Sequence, residues 1–340
     1  MMRTSSIRPG PGPTEGRETV LAVDIGASRI RAALVDPSDL GVMAITETPT
    51  PQSPDPEAIP RALVRLVREG LRVEGVRRAG IASIGPIDSR RGVIELAPNV
   101  AGRPRSIRVA EALWDELGIT EVYMANDCNA AAYAEHFARS GEETGDLLYV
   151  TVSTGIGGGA VLEGRPVLGR KGNAAEIGHS VIDPSGYMGC GCGGAGHWEA
   201  YCSGRNIPRF ARRLAEDGEL PRDSALYRLV ADGDFESREV FEVYRKGDEA
   251  SRPFFSRLAV LMAAGLSTAI NLFSPDLVVL GGAVFLRNED FFASEVLPRL
   301  RGFLMLREPR IERPRFGELS PLMGAALLAM HRVESALVKL

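Results

Sequence analysis

Between Gly178 and Glu199 the sequence GHSVIDPSGYMGCGCGGAGHWE concentrates two of the chain's four histidines and two of its four cysteines. Cys190 and Cys192 form a C-x-C pair, His179 lies upstream, and His197 follows five residues after Cys192. Two thiolates and two imidazoles suit tetrahedral Zn²⁺ with every position filled, the mark of a structural site rather than a catalytic one. A redox C-x-C pair is an alternative, although the helix N-terminus that usually activates such a thiol is not evident. Two buried thiols beside a core histidine is the plainest alternative.

A second chemistry is written in glycine. The segment DIGAS puts Asp24 at the end of an apolar run, followed by the small residues Gly26, Ala27 and Ser28. Backbone N–H groups in such a turn can cradle phosphate oxygens, because small residues let the backbone approach closely. Asp24 is then placed to hold Mg²⁺, through water, since that ion keeps part of its hydration shell; a plain hairpin ending in an acid reads equally well from this piece. STGIGGG repeats the pattern with Ser153, Thr154, Gly155 and Gly157, and Gly281-Gly282 after the run DLVVL makes a third approach point. None of them matches the G-x-x-x-x-G-K-[ST] phosphate loop, and the dinucleotide-binding G-x-G-x-x-G is missing from the first turn. A third stretch, ANDCNAAAYAEH, ends a strand on Asn126-Asp127 and opens an alanine-rich helix, where Asp127 is either a reactive acid or an N-cap.

Three glycine-rich turns after strands, the first carrying an acid, resemble the actin-like ATPase fold shared by sugar kinases and heat-shock chaperones. N-D-x-N-A-A-A from Asn126, then STGIGGG, then E-I-G-H ending at His179, then C-x-C-G-x-x-G-x-x-E ending at Glu199 together resemble the ROK family of repressors, open reading frames and sugar kinases. The matches run in family order from Asp24 to about Gly324. This resemblance implies an ATP-dependent sugar kinase in which Asp127 is the base that takes the proton of the attacking sugar hydroxyl. It implies sugar contacts from Asn99, Asn126, Asp127, Glu176, His179 and Glu199, and ATP with Mg²⁺ as cofactors. Glucose at its 6-hydroxyl is the leading acceptor; an N-acetylhexosamine, fructose, or a non-catalytic sugar-sensing role are the alternatives. The resemblance also implies a homodimer. Two departures stand out: the family's Asp-Ile-Gly-Gly-Thr-Lys turn has Ala27, Ser28 and Arg29 in its last three places, and His197 stands where the zinc loop has a third cysteine. Cys202 is an alternative fourth ligand.

The elements that must position these residues read as α/β. Strand-like runs flank the first turn, a third strand follows over 41–48, a helix over 56–72, a strand over 78–88, a helix over 106–118 and a strand over 121–127. A weaker copy of the same plan begins near Leu147, helices dominate Ser203 to Phe273, and the chain is expected to end in an amphipathic helix from Ser320. The expected organisation is a flexible Pro/Gly tail over 1–18, a small α/β lobe of 19–124 plus 310–340, and a large lobe of 125–309 carrying the zinc loop, with a cleft between them. At 340 residues with 44% hydrophobic and 25% charged residues, two domains are the natural expectation. A net charge of −4 offers no electrostatic case for nucleic acid or anionic membrane as partners. Few cysteines and no apolar leader fit a reducing cytoplasm, and the apolar stretch Leu258 to Phe273 suits a buried helix better than a membrane span.

Overall fold

The computed structural model describes residues 19–339 apart from 141, 143, 144 and 306, so the tail expected over 1–18 lies outside the described residues. In chain order the main elements are β1 (Val20–Ile25), β2 (Arg29–Val35), β3 (Val42–Pro49), α1 (Ala58–Gly70), β4 (Arg78–Ser83), β5 (Ile87–Asp88), β6 (Val93–Leu96), β7 (Arg105–Arg108), α2 (Val109–Leu117), β8 (Glu121–Asn126) and α3 (Asp127–Phe137). There follow β9 (Leu147–Val152), β10 (Ile156–Leu162), β11 (Arg165–Pro166), α4 (Trp198–Cys202), α5 (Asn206–Glu216), α6 (Ala225–Ala231), α7 (Ser237–Arg245), α8 (Arg252–Phe273), β12 (Leu277–Gly281), α9 (Ala283–Arg287), β13 (Arg310–Glu312) and α10 (Ser320–Met330).

Two compact units form. Among the described residues, unit 1 takes in 19–138, Pro166–Ala174 and 318–339, and unit 2 the described residues of Arg139–Arg165 and Ala175–Gly317. Unit 1 holds a five-stranded sheet of order β3-β2-β1-β4-β8 and the small sheet β5-β6-β7; unit 2 holds a five-stranded sheet of order β11-β10-β9-β12-β13. Strands β1 and β4 are buried along their whole length, their polar Asp24, Arg78 and Ser83 included, as strands covered on both faces are.

The boundaries differ from those expected at 124/125 and 309/310. Helix α3 belongs to unit 1 because α10 packs against it so closely that a Cβ on Gly324 would lie 1.9 Å from the Ala130 carbonyl oxygen. The same helix presses on β4, where a Cβ on Gly80 would lie 1.8 Å from the Ala325 carbonyl oxygen. Strand β13 stays with unit 2 because it extends the sheet in parallel with β12, Val278 opposite Ile311. The expected terminal helix stops at Met330, and it is apolar all round rather than amphipathic, with Leu322 to Ala329 buried. The segment read as helix from Ser106 begins as β7, and the helix proper starts at Val109. In α8 the length and apolar composition that could cross a membrane are spent on a core: Phe254, Leu258, Met262 and Leu266 are buried, and a Cβ on Gly265 would strike the Trp198 ring.

Candidate active site

In unit 1, β8 delivers Asn126 and Asp127 to the start of α3. Asn126, not Asp127, is the N-cap: its Oδ1 accepts the Cys128 N–H at 2.9 Å. Asp127 is the first helical residue, and its Oδ1 shares that donor at 2.8 Å. The capping reading of Asp127 is therefore displaced by its neighbour. Protein crowds this side chain, and desolvation raises its pKa above the ordinary aspartate range against the pull of the Cys128 N–H.

Asp24 ends β1 one strand over from β8, since Asp24 registers with Ala82 of β4 and Ala82 with Ala125. Burial, and then the charge of Asp127, push Asp24 up to about 7, while the Arg31 guanidinium at 3.8 Å opposes them. Two acids held this close and this dry call for a cation, which is the condition a Mg²⁺ site would relieve.

The turn after Asp24 closes through Gly26 N–H to the Arg29 carbonyl at 2.9 Å. Its own carbonyls are drawn away from the turn: Thr50 Oγ1 donates to Gly26 O at 2.7 Å and Gln52 Nε2 to Ala27 O at 2.9 Å. Gln52 Oε1 meanwhile accepts the Ala101 N–H at 3.0 Å, tying the turn to the loop that exposes Asn99. Ala27 lies partly buried against the core and Ser28 is exposed. On the other side of Asp127, Pro166–Ala174 crosses as a strap. Asn173 clasps Ile87 at two points, accepting its N–H at 2.9 Å and donating to its carbonyl at 2.7 Å. Buried Asn129 donates to Ala174 O at 3.0 Å, and Lys171 bridges Glu95 at 2.7 Å and Asp88 at 3.3 Å. Thr50, Gln52, Asn129, Asn173 and this use of Lys171 escape sequence reasoning, because their partners are backbone groups or distant acids.

In unit 2 the Ser153–Gly155 turn joins β9 to β10, with Ser153 N–H donating to Gly155 O at 2.9 Å. Glu199 Oε2 accepts the Ile156 N–H at 2.9 Å, and a Cβ on Gly155 would sit 2.6 Å from that oxygen, so the glycine admits the carboxylate. Gly157 lies inside β10, opposite Thr151, rather than in the turn. Gly281 pairs with Thr151, and Gly282 has φ 90°, with a Cβ there falling 2.4 Å from the Val152 carbonyl. The second and third glycine sites thus meet at the end of β9, and Thr154 is exposed beside them.

Glu199 also reaches the cysteine loop, its Oε1 lying 4.0 Å from Cys190 Sγ. The candidate ligand atoms of His179, Cys190, Cys192 and His197 all fall within 4.8 Å of one another. Cys190 Sγ is 3.8 Å from His179 Nδ1, and Cys192 Sγ is 3.3 Å from His197 Nδ1. Tetrahedral zinc with ordinary Zn–S and Zn–N bonds needs ligand–ligand edges of about 3.3–3.8 Å, so the donor set fits. His179 turns Nδ1 to the cluster and Nε2 towards the Glu176 carboxylate at 3.9 Å. His197, not Cys202, is the fourth member; Cys202 is buried in α4 and outside the group. Gly194 makes room for the His197 ring: a Cβ there would lie 2.4 Å from His197 Cε1. Burial pushes the Cys190 thiol up to about 11 and holds His197 below the usual imidazole range. A lowered pKa favours the neutral His197 ring that a metal needs, and a metal bound at Cys190 would displace the thiol proton to solvent.

Residues 20–332 match the model of the ROK family. A glucokinase of Aeropyrum pernix is 37% identical over 93% of this chain and 98% of its own length. An N-acetylmannosamine kinase of Salmonella typhi is 34% identical over 92% and 98%, respectively. The solved ROK family glucokinase of Streptomyces griseus, in complex with glucose and AMPPNP, superimposes with a TM-score of 0.70 at 30% identity, covering 92% of this chain and 99% of that one. The mixed α/β architecture is that of the actin-like ATPase fold, with no closed barrel among the described residues.

Proposed function

The chain belongs to the ROK family, and from that premise we propose that it is an ATP-dependent hexose kinase that phosphorylates glucose at its 6-hydroxyl with Asp127 as general base. The observation that carries the reading is the Asp127 carboxylate: one oxygen is anchored to the Cys128 N–H, and desolvation lifts its pKa. A base of that kind holds a proton well enough to accept one from an attacking hydroxyl as the hydroxyl reaches phosphorus. Phosphoryl transfer needs little more from the protein than positioning and charge neutralisation.

In unit 1, Asn126 and Asn99 are the residues suited to hydrogen-bonding a sugar. From unit 2, Glu176, His179 and Glu199 would do the same, since carboxylates and imidazole can clasp paired vicinal hydroxyls. In unit 1, Gly26, Ala27 and Ser28 are suited to nucleotide phosphates, and in unit 2, separately, so are Ser153, Thr154, Gly155, Gly281 and Gly282. Asp24 is the residue suited to holding Mg²⁺, whose charge would neutralise the phosphates. His179, Cys190, Cys192 and His197 are suited to a structural Zn²⁺, which would do no phosphoryl chemistry and would fix the loop that carries Glu199. None of the four cysteines forms a disulfide, in keeping with a reducing cytoplasm, and by its resemblance to the family we take the enzyme to be a homodimer.

The N-acetylmannosamine kinase relative supports a second acceptor class. ADP release measured across glucose, mannose, fructose, N-acetylmannosamine and N-acetylglucosamine separates the readings. The expected result is the highest kcat/KM for glucose. A higher value for an N-acetylhexosamine replaces the acceptor, and activity on no sugar sinks the kinase reading.

A further inference from the structure

Within unit 2, helix α4 runs from the His/Cys cluster to the turn between β9 and β10. Its N-cap is His197, a member of the cluster, and the chain leaves it through Ser203, Gly204 and Arg205. Four of its five side chains, Trp198, Ala200, Tyr201 and Cys202, are buried. A Cβ on Gly265 would lie 2.2 Å from the Trp198 ring, and the Tyr201 hydroxyl accepts the Met188 N–H at 3.0 Å. A short helix packed this tightly moves as one piece, because close-packed interiors transmit displacement rather than absorb it.

Glu199 is the α4 side chain left half-buried, and it reaches the turn. Its Oε2 accepts the Ile156 N–H at 2.9 Å, while its Oε1 faces Cys190 Sγ at 4.0 Å. Backbone bonds from the same segment complete the grip: Gly204 N–H donates to Ser153 O at 2.7 Å and Arg205 N–H to Thr154 O at 3.3 Å. Residues 199–205 therefore hold the carbonyls of Ser153 and Thr154 and the amide of Ile156. A Cβ on Gly204 would lie 2.9 Å from Ser153 O, so helix exit and turn are in close contact.

Resting on the kinase reading above, we propose that Glu199 is also a positioning residue for the second glycine turn. Through it, a metal held by the cluster governs nucleotide affinity as well as sugar affinity. A cation bound by Cys190 and His197 would fix the sulfur that Oε1 faces and the N-cap from which α4 starts. Coupling of this kind needs a continuous chain of packed and hydrogen-bonded groups, and His197, α4 and Glu199 supply one. A hydrogen bond to a charged acceptor contributes about tenfold or more to an equilibrium constant. With the Gly204 and Arg205 bonds still on the turn, the lower figure is the one expected.

The test is calorimetric binding of Mg-ATP to the full, metal-loaded chain without sugar, which takes the sugar contact of Glu199 out of the readout. Glu199→Ala is expected to raise the Mg-ATP Kd about tenfold. Glu199→Gln keeps an oxygen for the Ile156 N–H and should bind Mg-ATP within about twofold of wild type, while its sugar affinity stays reduced. Stripping the metal with a chelator should weaken Mg-ATP binding in wild type and add less than about twofold in Glu199→Ala, since the two changes remove the same link. An unchanged Kd in Glu199→Ala, a Gln variant as weak as the Ala variant, or stripping that affects both proteins equally overturns the proposal. The two readings fail separately. Wild type that binds no Mg-ATP ends the nucleotide reading, and hydrogen exchange at the Ile156 amide then still decides the role of Glu199. Faster exchange in Glu199→Ala than in Glu199→Gln and wild type supports it, and equal rates overturn it.

Discussion

In unit 1, β1 makes six antiparallel pairs with β2 and six parallel pairs with β4; in unit 2, β9 makes six antiparallel pairs with β10 and five parallel pairs with β12. The same strand plan therefore frames both the turn after Asp24 and the turn after Val152. The two turns are held in opposite ways. In unit 1, side chains from the stretch after β3 take the turn's carbonyls, and the charge nearby is a buried acid pair, Asp24 with Asp127. In unit 2, Glu199 takes the Ile156 N–H just past the turn, and the neighbouring cleft is rich in arginine. One frame thus carries two different side-chain settings: a buried acid pair beside the turn in unit 1, and in unit 2 a glutamate bound to the strand after the turn and a His/Cys cluster close to it.

If that division is right, the largest effect belongs to Asp127. Asp127→Asn keeps an acceptor for the Cys128 N–H, so the helix start should survive while kcat falls by about 10²–10⁴-fold and sugar KM moves only severalfold. In the wild type the raised Asp127 pKa puts the acid limb of the kcat/KM profile above the range of an ordinary aspartate. A variant keeping more than about a tenth of the wild-type rate breaks the assignment of base chemistry to unit 1.

Next in size is Asp24. Asp24 in the fold keeps its proton up to about pH 7, whereas its ordinary value is 3.8, so the folded chain binds more protons between those values. Stability of the nucleotide-free protein therefore falls as pH rises through that window, by about 4 kcal/mol at the upper bound. Asp24→Asn should remove this decline, melting higher than wild type at pH 8 without nucleotide while losing Mg-ATP-dependent activity. Equal melting temperatures for the two proteins at pH 8 would contradict the buried charge.

The smallest expected effect falls on unit 2. Purified protein should carry about one zinc per chain by elemental analysis, as four ligands of one closed site require. His197→Ala should lose it and raise hexose KM about tenfold, in line with losing support for a ligand-holding residue, with kcat changed less. His197→Cys should retain the metal. A fall in kcat at constant KM for His197→Ala would place the loop in the chemistry and erase the contrast between units.

Much of this arrangement is legible in the chain because its signals are local. Asp24 at the end of an apolar run, Asn126-Asp127 before alanines, and Cys190 and Cys192 between two histidines depend on neighbours in sequence. The residues that escape reading bond across it: Gln52 reaches Ala27 across 25 positions, and Asn173 reaches Ile87 across 86. A polar loop residue bound to a backbone group has no periodicity and no preferred partner type, so nothing in its own neighbourhood announces it. Unit membership escaped for the same reason, since the strap Pro166–Ala174 lies in sequence amid unit 2 and folds with unit 1.

Residue order along the chain specifies the kinds of group available: two acids where strands finish, three glycine sites, and two histidines and two cysteines of the kind that bind soft or borderline metals. Tertiary structure alone decided how they were divided and tuned. Only packing brings the Asp127 charge close enough to lift Asp24, assigns the N-cap to Asn126, leaves Cys202 in the core, and gives His197 the space over Gly194. The physical reason is common to all four: desolvation, helix capping and steric clearance depend on atoms brought together from distant parts of the chain, and the residue types fix only what each side chain can do once it is there.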